Sequence, residues 1–134
     1  MSEAVIKLIL RGWAQVMIKV GALILSLGIF TAPALAATHR LQLGTEEGLL
    51  AIEPSQLTIA AGDVVTIEVA GMGPHNLIVD NHPEWSHERL IFEPGYSWQQ
   101  RFDTAGEYQI WCEPHRFAGM SGQLIVKIVE KDSG

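Results

Sequence analysis

The stretch "YQIWCEPHRFAGMSGQLIV", residues 108–126, joins two β-like runs through one short loop. Along a strand, successive side chains point to opposite faces. Tyr108, Ile110 and Cys112 therefore share one face, and Glu107, Gln109 and Trp111 the other. The first face is the apolar one, so the chain's only cysteine points into a core at the end of a strand. Pro114 and Gly119 break the run and allow the chain to reverse. His115 and Met120 are thereby turned back toward Cys112. A thiol, an imidazole and a thioether share one turn between two strands.

Similar runs lie on the N-terminal side: "HRLQLG" (39–44), "LLAIEPSQLTIAAGD" (49–63, two runs broken by Pro54), "VVTIEVAG" (64–71), "NLIVD" (76–80) and "YSWQQRF" (96–102), with "EYQIW" (107–111) and "GQLIVKIV" (122–129) flanking the loop. Turn residues at 62–63, 71–74, 94–95 and 105–106 separate them. Seven or so short strands at this spacing predict an all-β sandwich or barrel. Residues 81–95 form the one long connection. Within it "SHERLIF" predicts a helical turn, Trp85 and Phe92 are expected to cap the core, and His82, Glu84, His87 and Glu88 to be solvated. Asp63 and Asp103 read as turn residues, and Glu46-Glu47 as a solvated face.

The front of the chain is different. An apolar run at 20–30, "VGALILSLGIF", follows Lys7, Arg11 and Lys19 and ends in "TAPALA". A basic segment, an apolar segment and a small-x-small site at Ala34-Leu35-Ala36 make a secretory signal, residues 1–36, with cleavage after Ala36. The run is short for a membrane span; retention as an anchor is the competing reading. Residues 37–134 then form the working domain. The leader's three bases outweigh Glu3 by two, so this domain carries a formal −8 where the whole 134-residue chain carries −6. That charge argues against nucleic acid, which requires a basic footprint, and suits solubility or a basic partner. A lone cysteine in an exported domain forms no internal disulfide; it is buried, reactive, paired with another chain, or bound to metal.

A fourth donor comes from "GMGPHNLIVD" (71–80), where His75 follows a Gly-Pro turn at the start of an apolar strand. Two imidazoles and a thiolate in a plane, with a weak axial thioether, are the donors of a blue-copper electron-transfer site. Thiolate and thioether suit Cu(I), and imidazoles suit Cu(II), so a set serving both states changes little when an electron arrives. Singly, Cys112 and Met120 would pass for core filling. Together, Cys-x2-His-x4-Met between strands and Pro-His-Asn upstream point to one copper ion cycling between Cu(I) and Cu(II). Met120 argues against structural zinc, which takes N and S donors without thioether. A copper storage or delivery protein, a redox enzyme and a copper-free sandwich are the competing classes. One cysteine and one complete donor set favour a carrier over all three, and the reading is not that of an enzyme.

The segments "LGTEEGLLAIEPSQLTIAAGDVVTIEV", "PHNLIVD" and "GEYQIWCEPHRFAGMSGQLIVKI" resemble the plastocyanins, cupredoxins of the type 1 blue-copper class, of the cyanobacterial kind. The resemblance covers nearly all of residues 37–134. It implies an eight-stranded Greek-key sandwich and ligand roles for His75, Cys112, His115 and Met120. It also implies that Asn76 ties the two ligand loops together. Gly48, Leu50 and Pro74 fall where the family builds an apolar docking patch around the exposed copper histidine, here His115. Arg116 matches an arginine used toward photosystem I. The implied role is a monomeric carrier in the thylakoid lumen or periplasm, peripheral to the membrane, moving electrons from cytochrome f to photosystem I.

Three departures from the family pattern bear on partners. Phe117 stands where a glycine is usual, Trp111 where a tyrosine is usual, and the stretch from His75 to Cys112 is short, omitting the region of a second, charged partner site. They make a divergent paralogue with another donor and acceptor the alternative. Phe117 and Trp111 are both candidate docking residues. Phe117 is expected at the rim of the histidine's exit with Leu50 and Pro74 nearby, the competing reading being that it folds inward. Trp111 serves either as a docking or electron-relay aromatic or as ordinary surface cover. Cleavage after Ala36 would also expose Ala37-Thr38-His39, whose amine, amides and imidazole can wrap a second Cu(II) ion in a square plane.

Overall fold

A computed structural model describes residues 2–13 and 35–130. Residues 3–13 are helical. The apolar run at 20–30 lies outside the described residues. Among those described, no helix is long and apolar enough to cross a membrane. The chain divides between residues 34 and 35 into two units.

In the second unit, strict alternation decides which side of each strand faces in. In β4 (Asp63–Val69), Asp63, Val65, Ile67 and Val69 are buried and the residues between them half-buried. β1 (Thr38–Leu43) buries Leu41 and Leu43 in the same way. β1 runs parallel to β4, from Thr38 opposite Val64 to Leu43 opposite Val69. With β2 (Ile52–Glu53) and β7 (Ser97–Phe102) they form a four-stranded sheet in the order β2-β1-β4-β7. The second sheet has the order β3-β9-β8-β5-β6. Its strands are β3 (Gln56–Ala60), β5 (His75–Val79), β6 (His87–Ile91), β8 (Gly106–Trp111) and β9 (Ser121–Lys127). β3 pairs in parallel with β9, and the remaining pairs are antiparallel.

Leu43, Ile59, Ile67, Leu77, Val79, Phe102, Ile110, Leu124 and their neighbours fill the space between the sheets. Two separate mixed sheets packed face to face make a sandwich of the cupredoxin kind and exclude a closed barrel. Burying an aliphatic side chain of this size contributes about 1.5–3 kcal/mol.

Three expectations are corrected. The described residues hold nine strands, not seven or eight. The addition is β6, which replaces the helical turn expected in "SHERLIF". Its period misleads because the β5–β6 register slips between His75, opposite Ile91, and Leu77, opposite His87. A bulge breaks strand alternation, and the consecutive Leu90, Ile91 and Phe92 show no period of two. Phe92 does not cap the core; it lies 58% exposed. Trp85 does cap it, buried on a 3-10 turn (Pro83–Trp85) and packed edge-on against Phe102 and Tyr108.

Asp63 is also more than a turn residue. Its buried carboxylate accepts from the backbone N–H groups of Ala37 and Ala60 and pairs with His39 Nε2 at 2.8 Å. These bonds hold its pKa below the ordinary carboxylate value, the His39 bond first, against the opposing effect of burial.

Candidate metal centre

The centre is assembled from one strand start and one hairpin turn. β8 delivers Cys112 inward just past its last residue, Trp111. A 3-10 turn (Glu113–Ala118) follows, entered through Pro114, whose fixed φ suits a helical start. It ends at Gly119 with φ +95°, a left-handed conformation that costs glycine little. The reversal is closed by three backbone bonds: His115 N–H to Cys112 O (3.2 Å), Met120 N–H to His115 O (3.2 Å), and Cys112 N–H to Met120 O (3.0 Å). Cys112, His115 and Met120 are thus fixed relative to one another before any ion is considered.

His75, first residue of β5, completes the group. Cys112 Sγ lies 3.8 Å from His75 Nδ1 and 3.6 Å from His115 Nδ1. The donor atoms of the three residues all lie within 4.8 Å of one another. They are the one such cluster found among the described residues. The two imidazoles meet edge-on with centroids 5.2 Å apart. Cys112 and Met120 are fully buried, His75 is 1% exposed, and only His115 reaches the surface, half-buried.

Burial favours the uncharged forms of two of the donors, His75 and Cys112. Burial lowers the pKa of His75, helped by His115 and opposed by a hydrogen bond to the Met72 backbone. Burial raises the pKa of the Cys112 thiol, with the Glu113 charge in the same direction; backbone bonds from Asn76 and His115 act against both. A cation offsets that penalty by replacing the thiol proton. One soft sulfur and two imidazoles converging in a dry site, with a buried thioether beside them, fit copper.

Asn76 is the brace. Its side chain is fully buried. Asn76 Oδ1 accepts from Glu113 N–H at 2.8 Å, and its amide donates to Glu88 O at 3.0 Å and to Glu113 Oε2 at 3.2 Å. One residue therefore joins the strand carrying His75 to the turn carrying His115, and bonds a carbonyl of β6 as well.

The residues expected at the surface divide into two groups. Phe117 is fully exposed, which rules out inward folding. It lines a hollow of about 460 Å³ with Ile78, Glu88, Trp111, Glu113 and Arg116. The Arg116 guanidinium lies 4.0 Å from the centroid of the Trp111 ring, a cation–π contact worth about 0.5–1 kcal/mol at an exposed site. Leu50, 40% exposed, and the half-buried Pro74 do not line that hollow. His82 and His87 stay apart from the centre. His82 bonds Glu84 and stacks on Trp85, and His87 packs against Trp98. The sequence reading missed Gly44, Met72 and the clamp at Asp63. Gly44 backs the His75 ring, where a Cβ would lie 2.9 Å from Nε2, and nothing in the sequence distinguished any of the three from ordinary turn or loop residues.

The family described as "Copper binding proteins, plastocyanin/azurin family" matches residues 39–127. A chloroplastic plastocyanin of Tetradesmus obliquus is 40% identical over 106 residues, 73% of each chain. A plastocyanin of Nostoc punctiforme is 34% identical over 131 residues, 88% of this chain and 94% of that one. Among solved structures, a mutant fern plastocyanin superposes with a TM-score of 0.59 at 30% identity, covering 66% of this chain and 99% of that one. With a converged thiol–imidazole cluster on a cupredoxin sandwich, the chain belongs to the plastocyanin/azurin family of copper-binding proteins, as an electron carrier of the plastocyanin type and not an enzyme.

Proposed function

We propose that this chain is exported, cleaved after Ala36, and works as a soluble monomeric carrier in the thylakoid lumen or periplasm, taking electrons from cytochrome f and passing them to photosystem I. In this reading His75, Cys112, His115 and Met120 hold the copper. Bound there, copper supplies a one-electron Cu(II)/Cu(I) couple. The rest falls to the protein. The backbone bonds of the 112–120 turn hold the donors in place, and Asn76 fixes the two ligand segments against each other. Burial of His75, Cys112 and Met120 excludes water. The observation that carries the reading is that His115, alone of the four, reaches the surface, giving a partner one short path to the centre. Names of relatives support the partners, and the exposure of Leu35, Ala36 and Ala37 supports cleavage there.

The fully exposed Phe117 favours a second reading, the same chemistry with a different donor and acceptor. A flat apolar rim fits partners closely around an exposed ligand, and an aromatic at that rim alters which surface fits. Stopped-flow reduction by cytochrome f and flash oxidation by photosystem I separate the two. Fast, saturable transfer with both supports the proposal. Slow, collision-like transfer with both, from a protein that is blue and redox-active, overturns the partner assignment and leaves the carrier chemistry in place.

A further inference from the structure

We propose that Ala37-Thr38-His39 forms a second metal site, for divalent ions that accept a square plane of nitrogens, Cu(II) or Ni(II). The proposal rests on the cleavage after Ala36 argued above. Cleavage frees an α-amine on Ala37 with an imidazole two residues on. The amine, the amides of Thr38 and His39, and His39 Nδ1 can then close three fused rings around one ion, in a geometry both metals favour. Binding exchanges protons for the ion. One leaves the ammonium group and one leaves each amide, while the imidazole contributes a lone pair.

The fold prepares this set. His39 Nε2 stands 2.8 Å from Asp63 Oδ2. An ionised carboxylate only accepts hydrogen bonds, so Nε2 carries a proton and Nδ1 is the nitrogen left for a metal. Nδ1 is also the atom that can close a ring with its own residue's amide. A metal-bound histidine commonly donates its other N–H to a carboxylate in this way. The other oxygen of the same side chain, Asp63 Oδ1, takes Ala37 N–H at 3.1 Å. A single buried carboxylate therefore holds both the first and the last donor of the set. Asp63 is itself fixed by Ala60 N–H at 3.0 Å, so it stays in place when the segment moves.

Little has to move. Ala37 and Thr38 are exposed and His39 is half-buried. Wrapping the ion opens the end of the β1–β4 ladder, where Val64 N–H meets Ala37 O at 3.1 Å. Pairs from Arg40 opposite Thr66 onward lie beyond the chelate. The site contains no sulfur and shares no residue with the cluster at Cys112, so the two load independently.

The test uses protein recovered after export, copper-loaded at its first centre, weighed by intact mass and then titrated with Ni(II). The expected result is a mass beginning at Ala37 and uptake of one further equivalent, with a weak visible band beside an unchanged blue one. Thr38→Pro removes an ionisable amide at the first residue of a strand, where proline is tolerated; it leaves His39 and Asp63 intact. Thr38→Pro and His39→Ala should each lose the second equivalent and keep the blue band. A mass beginning elsewhere overturns the site together with the cleavage. A mass beginning at Ala37 with no second equivalent, or a second equivalent that survives Thr38→Pro, overturns the site alone.

Discussion

Gly44 stands directly behind the His75 ring: a Cβ at position 44 would lie 2.9 Å from His75 Nε2, and the residue's φ is +73°. Both facts exclude a side chain. Gly44→Ala should destabilise the metal-free protein by about 1–3 kcal/mol, the usual cost of a strained backbone conformation. It should also shift the visible spectrum of the copper form, since the ring must move. Thermal unfolding and absorption spectra check both, and an unchanged spectrum would mean that the ring is not wedged from this side.

Cys112→Ser should abolish the intense visible band, because that band arises from charge transfer between thiolate and copper. Met120→Leu should keep the colour and raise the reduction potential, since a weak donor that favours Cu(II) is lost. Voltammetry reads the second variant. A potential that falls would assign the axial role elsewhere.

Asn76→Ala removes a fully buried amide and leaves Glu113 N–H and Glu88 O without their partner. Glu88 and Glu113 are themselves exposed, so each lost bond costs about 0.5–1.5 kcal/mol. The variant should unfold at lower denaturant and release copper to a chelator faster than the parent. A normal release rate with lowered stability would limit Asn76 to folding alone.

Asp63 sets a pH dependence. Its folded-state pKa is depressed below the ordinary 3.8, chiefly by the His39 hydrogen bond. Its contribution is therefore fully present above 3.8 and is lost as pH falls through the lower folded value. Metal-free parent and Asp63→Asn should differ in unfolding free energy at neutral pH and converge in strong acid. Parallel curves throughout would show that Asp63 contributes nothing specific.

Phe117→Gly tests the rim. Phe117 is fully exposed, so the variant should keep colour and melting temperature. Its electron-transfer rate with the true partner should change several-fold, because contact at the rim sets encounter geometry. A fall of several degrees in melting temperature with unaltered kinetics would place Phe117 in a structural role.

Much of the centre was legible because ligand spacing and strand alternation act over a few residues. Cys112 after Tyr108 and Ile110, and His75 after Gly73-Pro74, carry their own geometry. β6 was illegible because its bulge destroys the period on which a strand is recognised. Gly44 and Asp63 were illegible for a different reason. Their importance comes from groups distant in sequence, His75 in one case and Ala37 with His39 in the other, which only the closed sandwich brings within reach. The shared hollow of Phe117, Trp111 and Arg116 likewise depends on which way the 113–118 turn leans.

The central place of β9 fixes when this polypeptide can fold. Among the described residues it is the last strand in the chain, yet it separates β3 from β8 and hydrogen-bonds to both. Met120, immediately before it, is the last of the four donors to be made. A nascent chain lacking these residues has no continuous second sheet and no closed 112–120 turn. Residues through Lys127 must be made before the second sheet can close, and such long-range pairing is slow. Under the export proposed for this chain, that delay would keep it threadable. Under that same proposal, metal capture would fall on the far side of the membrane, after β9 has zipped into the gap left for it.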